Sequence, residues 1–381
     1  MKKRIQTISL ILCVALIGCG CAKRQTNEGE VLNTTINTTN KEENENRSKL
    51  DALKPNAYGN VEGLNLEPGS TISIIGKYAS DSFWEEVEAG ARRALADINS
   101  MLGYKGDQKI KISYTAPDTH DDVDTQVSIL DEELDRYPVA IGIASVDSTA
   151  CFVQYDLAGE NGIPIITFDS GSKYSNIEAH VSTDNKKAAK AAAEALAARM
   201  GEKGEVALFV QDSHSMTAKQ REQAFRDWIK KNYPEMSVVN IYYMDQLEKV
   251  AKEIAKEKER SASSITQNDV VAYILEKNPN LKGIFATNLD ATQLVADTLI
   301  SLERDDLFFV GFDGGKQQMD LLENDVVDGL IIQNPYGMGY ATVIAAARSV
   351  LDLGNEAYVD SGYVWVTKEN RKEQGVADML Y

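Results

Sequence analysis

From residue 71 onward the chain alternates short apolar runs with segments of helical period, and it does so twice over. Residues 71–75, 109–114, 139–144 and 163–168 read as buried strands. A second series follows at 206–210, 238–242, 283–286 and 308–312. Between them, 83–101, 186–200, 218–232, 270–277 and 291–302 read as helices. The first helix carries a start signal, Ser82 with Glu85 three residues on, which spells a capping box. Val87, Ala91, Ala94 and Ile98 give that helix one apolar face. Repeated strand–helix–strand units predict parallel sheets covered by helices on both faces, here in two doubly wound α/β lobes. Residues 245–268 are too long and too charged for a plain connection and read as an added solvated helix and loop.

Ligands of open parallel sheets bind beyond the carboxyl ends of the strands. Asp169, Asn288 and Asp313 each follow a predicted strand directly. Ser80, Asp81, Phe83 and Trp84 stand between the first strand and its helix. A lone Asp or Ser at such a place most often caps the next helix. The recurrence of polar residues at the same topological place in both series is what capping alone does not require.

The formal net charge of -18 argues against nucleic acid as a partner. Three of the basic residues, Lys2, Lys3 and Arg4, open the chain. An apolar run from Ile8 to Ile17 follows, too short to span a bilayer. It ends in Leu16-Ile17-Gly18-Cys19, which resembles the bacterial lipoprotein box. That resemblance implies that residues 1–18 are a signal peptide and that Cys19 carries lipid. A doubly acylated terminus anchors stably, so the expected location is the outer face of the bacterial cytoplasmic membrane. Residues 19–68, rich in Asn, Thr, Glu and Lys, read as a disordered tether. Cys151 is alone in the globular part, in the apolar run Ala150-Cys151-Phe152-Val153, and reads as a small core residue rather than a nucleophile.

Five segments occur in order along the chain: Asp81-Ser82-Phe83-Trp84, then Gly162-Ile163-Pro164-Ile165-Ile166-Thr167-Phe168-Asp169, then Thr183-Asp184-Asn185, then Ala218-Lys219-Gln220-Arg221-Glu222-Gln223-Ala224-Phe225, then Val310-Gly311-Phe312-Asp313-Gly314. Together they resemble the ribose-binding-protein class of type I periplasmic binding proteins, over residues 71–366. The resemblance implies two doubly wound lobes joined by a hinge of three crossings, near 182–184, 333–334 and 362. The N-terminal lobe would hold 69–182 plus 334–361, and the C-terminal lobe 183–333 plus 362–381. Ligand would lie in the cleft, and the lobes would close on it.

Carried over residue by residue, the ligand site is Asp81, Phe83, Trp84, Asp169, Arg221, Asn288, Asp313 and Gln333. Such a set suits a sugar. Carboxylates accept from hydroxyls, a guanidinium donates as a rigid fork, and rings cover apolar sugar faces. Asp81 stands where the family often has asparagine. Ser170 replaces the family's arginine after the aspartate, and Ala144 replaces a frequent polar residue. Arg221 is then the one plain cation expected among Asp81, Asp169 and Asp313. This acidic balance suits a polyol or pentose, and equally an amine-bearing sugar or a bound cation.

The resemblance implies a receptor that captures a small sugar or polyol and delivers it to the permease subunits of an ABC transporter. The alternative partner is a membrane sensor kinase. A monomer without cofactor or resident metal is expected. An enzyme reading has little support. Ser213-His214-Ser215 lacks a Gly-X-Ser-X-Gly elbow, and His120, in Asp118-Thr119-His120-Asp121-Asp122, has no metal-ligand partner at the usual spacing. Gly311-Phe312-Asp313-Gly314-Gly315-Lys316-Gln317 lacks the hydroxyl residue that a phosphate-binding loop needs after its lysine.

Overall fold

The computed structural model describes residues 46–381; the leader, Cys19 and the first part of the expected tether lie outside them. The strands are β1 (Thr71–Ile75), β2 (Lys111–Thr115), β3 (Ala140–Ile143), β4 (Ile165–Phe168), β5 (Ala179–Ser182), β6 (Lys203–Val210), β7 (Glu235–Tyr243), β8 (Leu281–Ala286), β9 (Phe308–Phe312), β10 (Gly329–Gln333), β11 (Tyr358–Asp360) and β12 (Tyr363–Val366). They form two six-stranded sheets, ordered β2-β1-β3-β4-β5-β11 and β7-β6-β8-β9-β10-β12. The winding is the same in both. Only the sixth strands differ, β11 running parallel to β5 and β12 antiparallel to β10.

The chain passes between the sheets after β5, after β10 and after β11. At the first two passages the next helix packs on the opposite sheet. Asn185–Met200 joins the apolar layer of the second sheet, and Pro335–Val350 that of the first. Side chains at the passages start these helices: Asp184 accepts from the Lys187 N–H, and Asn334 from the Gly337 N–H. Gly201, at φ 66°, ends the first of them in the left-handed region that favours glycine.

Each sheet is covered on both faces. Helices Ser82–Leu102 and Pro335–Val350 cover one face of the first sheet, and Val123–Leu134 with Phe152–Glu160 cover the other. The two helices of the first pair run in backbone contact. A Cβ on Gly90 would meet the Tyr336 carbonyl oxygen at 1.9 Å, and one on Gly339 the Val87 carbonyl oxygen at 1.9 Å. No helix of the described residues is long and apolar enough to cross a membrane.

Three expectations need correction. The tether does not extend to residue 68 as disordered chain. From residue 46 the backbone is ordered, and Leu53, Tyr58, Leu64 and Leu66 are buried in the first lobe's core. Lys54 forms an antiparallel bridge with Asp360. The first helix is capped by Asp81 rather than Ser82; Asp81 Oδ1 accepts from the Trp84 N–H at 3.0 Å, and Ser82 is already helical. The stretch from 245 to 268 is not merely solvated. Its helix, Leu247–Glu257, buries Leu247, Ala251 and Ile254 in the core of the second lobe. Cys151 is buried and free, and burial pushes its thiol up to about 11.

Candidate functional site

The carboxyl ends of the two sheets face a common cavity of about 360 Å³. All eight residues singled out in the sequence line it: Asp81, Phe83 and Trp84 after β1, Asp169 after β4, Arg221 on helix Met216–Asn232, Asn288 after β8, Asp313 after β9 and Gln333 at the end of β10. Lys77, Tyr78, His120, Asp121, Gln211, Asp245 and Asp290 share the lining.

Arg221 is the centre of the second lobe's contribution. It is 2% exposed, on the buried face of its helix with Ala218 and Phe225. Its Nε donates to Asn185 Oδ1 at 2.7 Å, Nη1 to the Thr287 carbonyl at 2.6 Å and Nη2 to Gln333 Oε1 at 3.0 Å. Phe312 lies under the guanidinium plane, 3.8 Å from ring centroid to Cζ. Gln333 Oε1 also accepts from the Thr183 hydroxyl at 2.9 Å, while its Nε2 donates to Asp313 Oδ1 at 2.8 Å. Asp313 Oδ2 accepts from the Leu289 N–H at 2.9 Å. These bonds tie two of the three passages to the site and fix the side chains before any ligand arrives.

Burial pushes the Asp313 carboxyl up to about 6, although the Arg221 charge opposes the shift. Asp169 is raised as well, by burial against the pull of Lys77 and Arg221. Asp81 is raised by burial and by the Asp290 charge, against its hydrogen bond from Trp84. Asp169 and Asp313 both hold left-handed backbone, at φ 49° and 70°. Each donates its N–H to the neighbouring strand, Asp169 to the Val181 carbonyl and Asp313 to the Ile331 carbonyl. The left-handed turn directs both side chains off the sheet end toward the cavity.

Phe83 and Trp84 pack edge to face, 5.0 Å between centroids, and Trp84 continues to Phe168 in the core. Asn288 caps helix Leu289–Ser301 through its Oδ1, which leaves its amide nitrogen 3.3 Å from Asp290 Oδ2. Sequence reading missed two features of this wall. Lys77, buried at the cavity edge, is a second cation, so Arg221 is not the only one. Tyr381 lies behind Phe83, 6.3 Å between centroids, and its hydroxyl donates to Asp313 Oδ1 at 3.4 Å. Two residues weighed for other chemistry also find their places. His120 stacks on Tyr78 at 3.6 Å. Ser213 Oγ donates to Asp245 rather than to His214, whose Nδ1 lies 3.2 Å from the Val146 carbonyl of the first lobe.

Two like-wound lobes that meet over a polar cavity at their strand ends define a two-lobe solute-binding protein. Residues 72–355 match the periplasmic binding protein domain, and the chain belongs to that family. Among characterised relatives, it is 24% identical to the ribose import binding protein of Bacillus subtilis, over 60% of this chain and 68% of that one. It is 22% identical to the D-allose-binding periplasmic protein of Escherichia coli, over 74% and 86%. Among solved structures, a carbohydrate transporter solute-binding protein from Agrobacterium radiobacter in complex with D-arabinose superposes with a TM-score of 0.71. It is 28% identical, with 82% of this chain and 99% of that chain covered. A solute-binding protein from Agrobacterium vitis bound to α-D-tagatopyranose gives 0.69 at 25% identity, with 82% and 99% covered.

Proposed function

We propose that this chain captures a small sugar between its lobes, outside the cytoplasmic membrane, and presents it to the permease of an ABC transporter. The observation that carries the reading is the preformed network of Arg221, Gln333 and Asp313, opposed across the cavity by Asp169 and the Phe83–Trp84 pair. A sugar hydroxyl both gives and accepts, so it fits a wall where carboxylates alternate with fixed donors. A cavity of about 360 Å³ falls at the small end of ligand sites, which suits a monosaccharide. The import proteins named above, and the pentose and hexose complexes, support the carbohydrate class and the transport role. The leader sequence supports lipid anchorage through Cys19 at the outer membrane face.

Nothing in this assignment calls for bond-making chemistry. Binding energy comes from hydrogen bonds to charged groups, each worth about 1.5–3 kcal/mol net. Several of them bring a monosaccharide to micromolar affinity or better. Discrimination follows from the same groups, because a sugar lacking the right hydroxyl leaves a buried carboxylate or ammonium unpaired.

Titration calorimetry against pentoses, hexoses and polyols is expected to find one ligand that binds far more tightly than its epimers. A flat response across the whole panel overturns the carbohydrate reading.

A further inference from the structure

The charges around the cavity are unevenly matched. Six carboxylates line it, those of Asp81, Asp121, Asp169, Asp245, Asp290 and Asp313, against the basic side chains of Lys77, His120 and Arg221. The Arg221 guanidinium is committed to Asn185, Thr287 and Gln333, with Gln211 Oε1 at 3.4 Å. Lys77 lies within reach of the charges of Asp121, Asp169 and Asp212. It is 8% exposed and makes no hydrogen bond or ion pair among the described residues. Its ammonium lines the cavity with donors open to a ligand oxygen.

Two further carboxylates line the same cavity from opposite lobes. Asp81 comes from the first lobe and Asp290 from the first turn of helix Leu289–Ser301 in the second. The Asp290 charge helps burial to raise the Asp81 carboxyl. Asp81 has the Trp84 N–H, and Asp290 has the Asn288 amide nitrogen at 3.3 Å. His120 stands beside them, its Nδ1 3.7 Å from Asp290 Oδ2 and its ring stacked on Tyr78. The rings of Tyr78 and Phe83 also line the cavity, and an aromatic face favours a cation.

We propose that the ligand is a cationic carbohydrate, an amino sugar whose protonated amine lies between Asp81 and Asp290 while one of its oxygens accepts from Lys77. This rests on the carbohydrate reading above and names the ligand class within it. The ammonium makes charge-assisted hydrogen bonds to both lobes at once, so it removes the repulsion between them and joins them.

The test is calorimetry on the full chain at pH 7 with D-glucosamine, D-galactosamine, D-mannosamine and 6-amino-6-deoxy-D-glucose. Each is titrated beside its neutral parent. At least one amine is expected to bind about tenfold or more tightly than its parent, the gain of one charge-assisted bond. The Asp290→Asn variant is expected to bring that ratio close to one, and Asp290→Glu to restore part of it, with thermal unfolding checked for each. Neutral parents that bind as well as or better than every amine overturn the proposal and leave the carbohydrate reading intact. A ratio unmoved by Asp290→Asn overturns the placement of the amine. No binding by either set overturns the amino-sugar proposal, and the carbohydrate reading then falls only if the pentoses and polyols are silent as well.

Discussion

Asp169 and Asp313 occupy the same place in the two lobes, yet they are held in different ways. Both follow the fourth strand of a sheet in chain order, both have positive φ, and both donate a backbone N–H to the fifth. Asp313 is wired on both oxygens, by Gln333 and Tyr381 on one and by Leu289 on the other. Among the described residues Asp169 has no side-chain donor on its carboxylate; it has the Ser170 backbone and the charges of Lys77 and Arg221. The second lobe therefore holds its half of the site ready, and the first leaves its half for a ligand to satisfy. Preorganisation of one half lowers the ordering cost of binding. The free half leaves groups whose pairing depends on the ligand's own pattern of hydroxyls.

The sharpest way to break this comparison is Arg221→Ala. It leaves Asn185, Thr287 and Gln333 without their shared donor, so we expect a loss of about 3–5 kcal/mol of stability in urea unfolding, with sugar binding abolished. A variant as stable as the parent would mean that the second lobe is not prewired. Next come the paired changes Asp313→Asn and Asp169→Asn, since asparagine tolerates the left-handed backbone that alanine would strain. Both should weaken sugar binding. Only Asp313→Asn should cost stability, about 1–3 kcal/mol, because it turns an amide nitrogen toward existing donors. Equal stability losses would erase the distinction between the lobes.

Acid separates them further. His180 in the first lobe is pushed down from 6.5 to about 4 by burial, against its bond to Thr167. Its folded pKa is depressed, so the unfolded chain takes up the proton first, and stability is lost as pH falls from 6.5 toward 4. Asp313 has the opposite sign: raised from 3.8 to about 6, it is relieved as pH falls through that window. Between pH 7 and 5, the melting temperature of His180→Gln should fall less than that of the parent, and that of Asp313→Asn should fall more. The smallest expected effect belongs to Tyr381→Phe. It removes the long hydroxyl contact with Asp313 and keeps the ring on Phe83, so a change in stability of about 1 kcal/mol or less is expected.

The doubly wound pattern was open to sequence reading because a parallel sheet buried on both faces writes itself as continuous apolar runs. The strand-end residues followed from it, since a polar residue directly after such a run has one place to go. Arg221 was visible by resemblance. A physical mark stands beside it, a lone cation three residues after Ala218 and four before Phe225 on the buried stripe of a helix. Lys77 carries no such mark. In Gly76-Lys77-Tyr78 it looks like any lysine in a loop, and no apolar period around it announces its burial. Leu53, Tyr58, Leu64 and Leu66 were lost in a polar background because no helical or strand period links them. They are buried by partners distant in sequence: the Tyr58 hydroxyl meets Asn355, and the Lys54 backbone pairs with Asp360.

That same stretch reaches the molecule at a telling point. The Lys49 carbonyl accepts from Asn334 at 2.6 Å, and Asn334 Nδ2 also donates to the Ser361 carbonyl, so residue 49 sits where two of the three linking segments come together. Points beside an axle travel least when the arms swing. Chain held at such a point would keep its station if the halves swing, and a load on it would fall on neither arm.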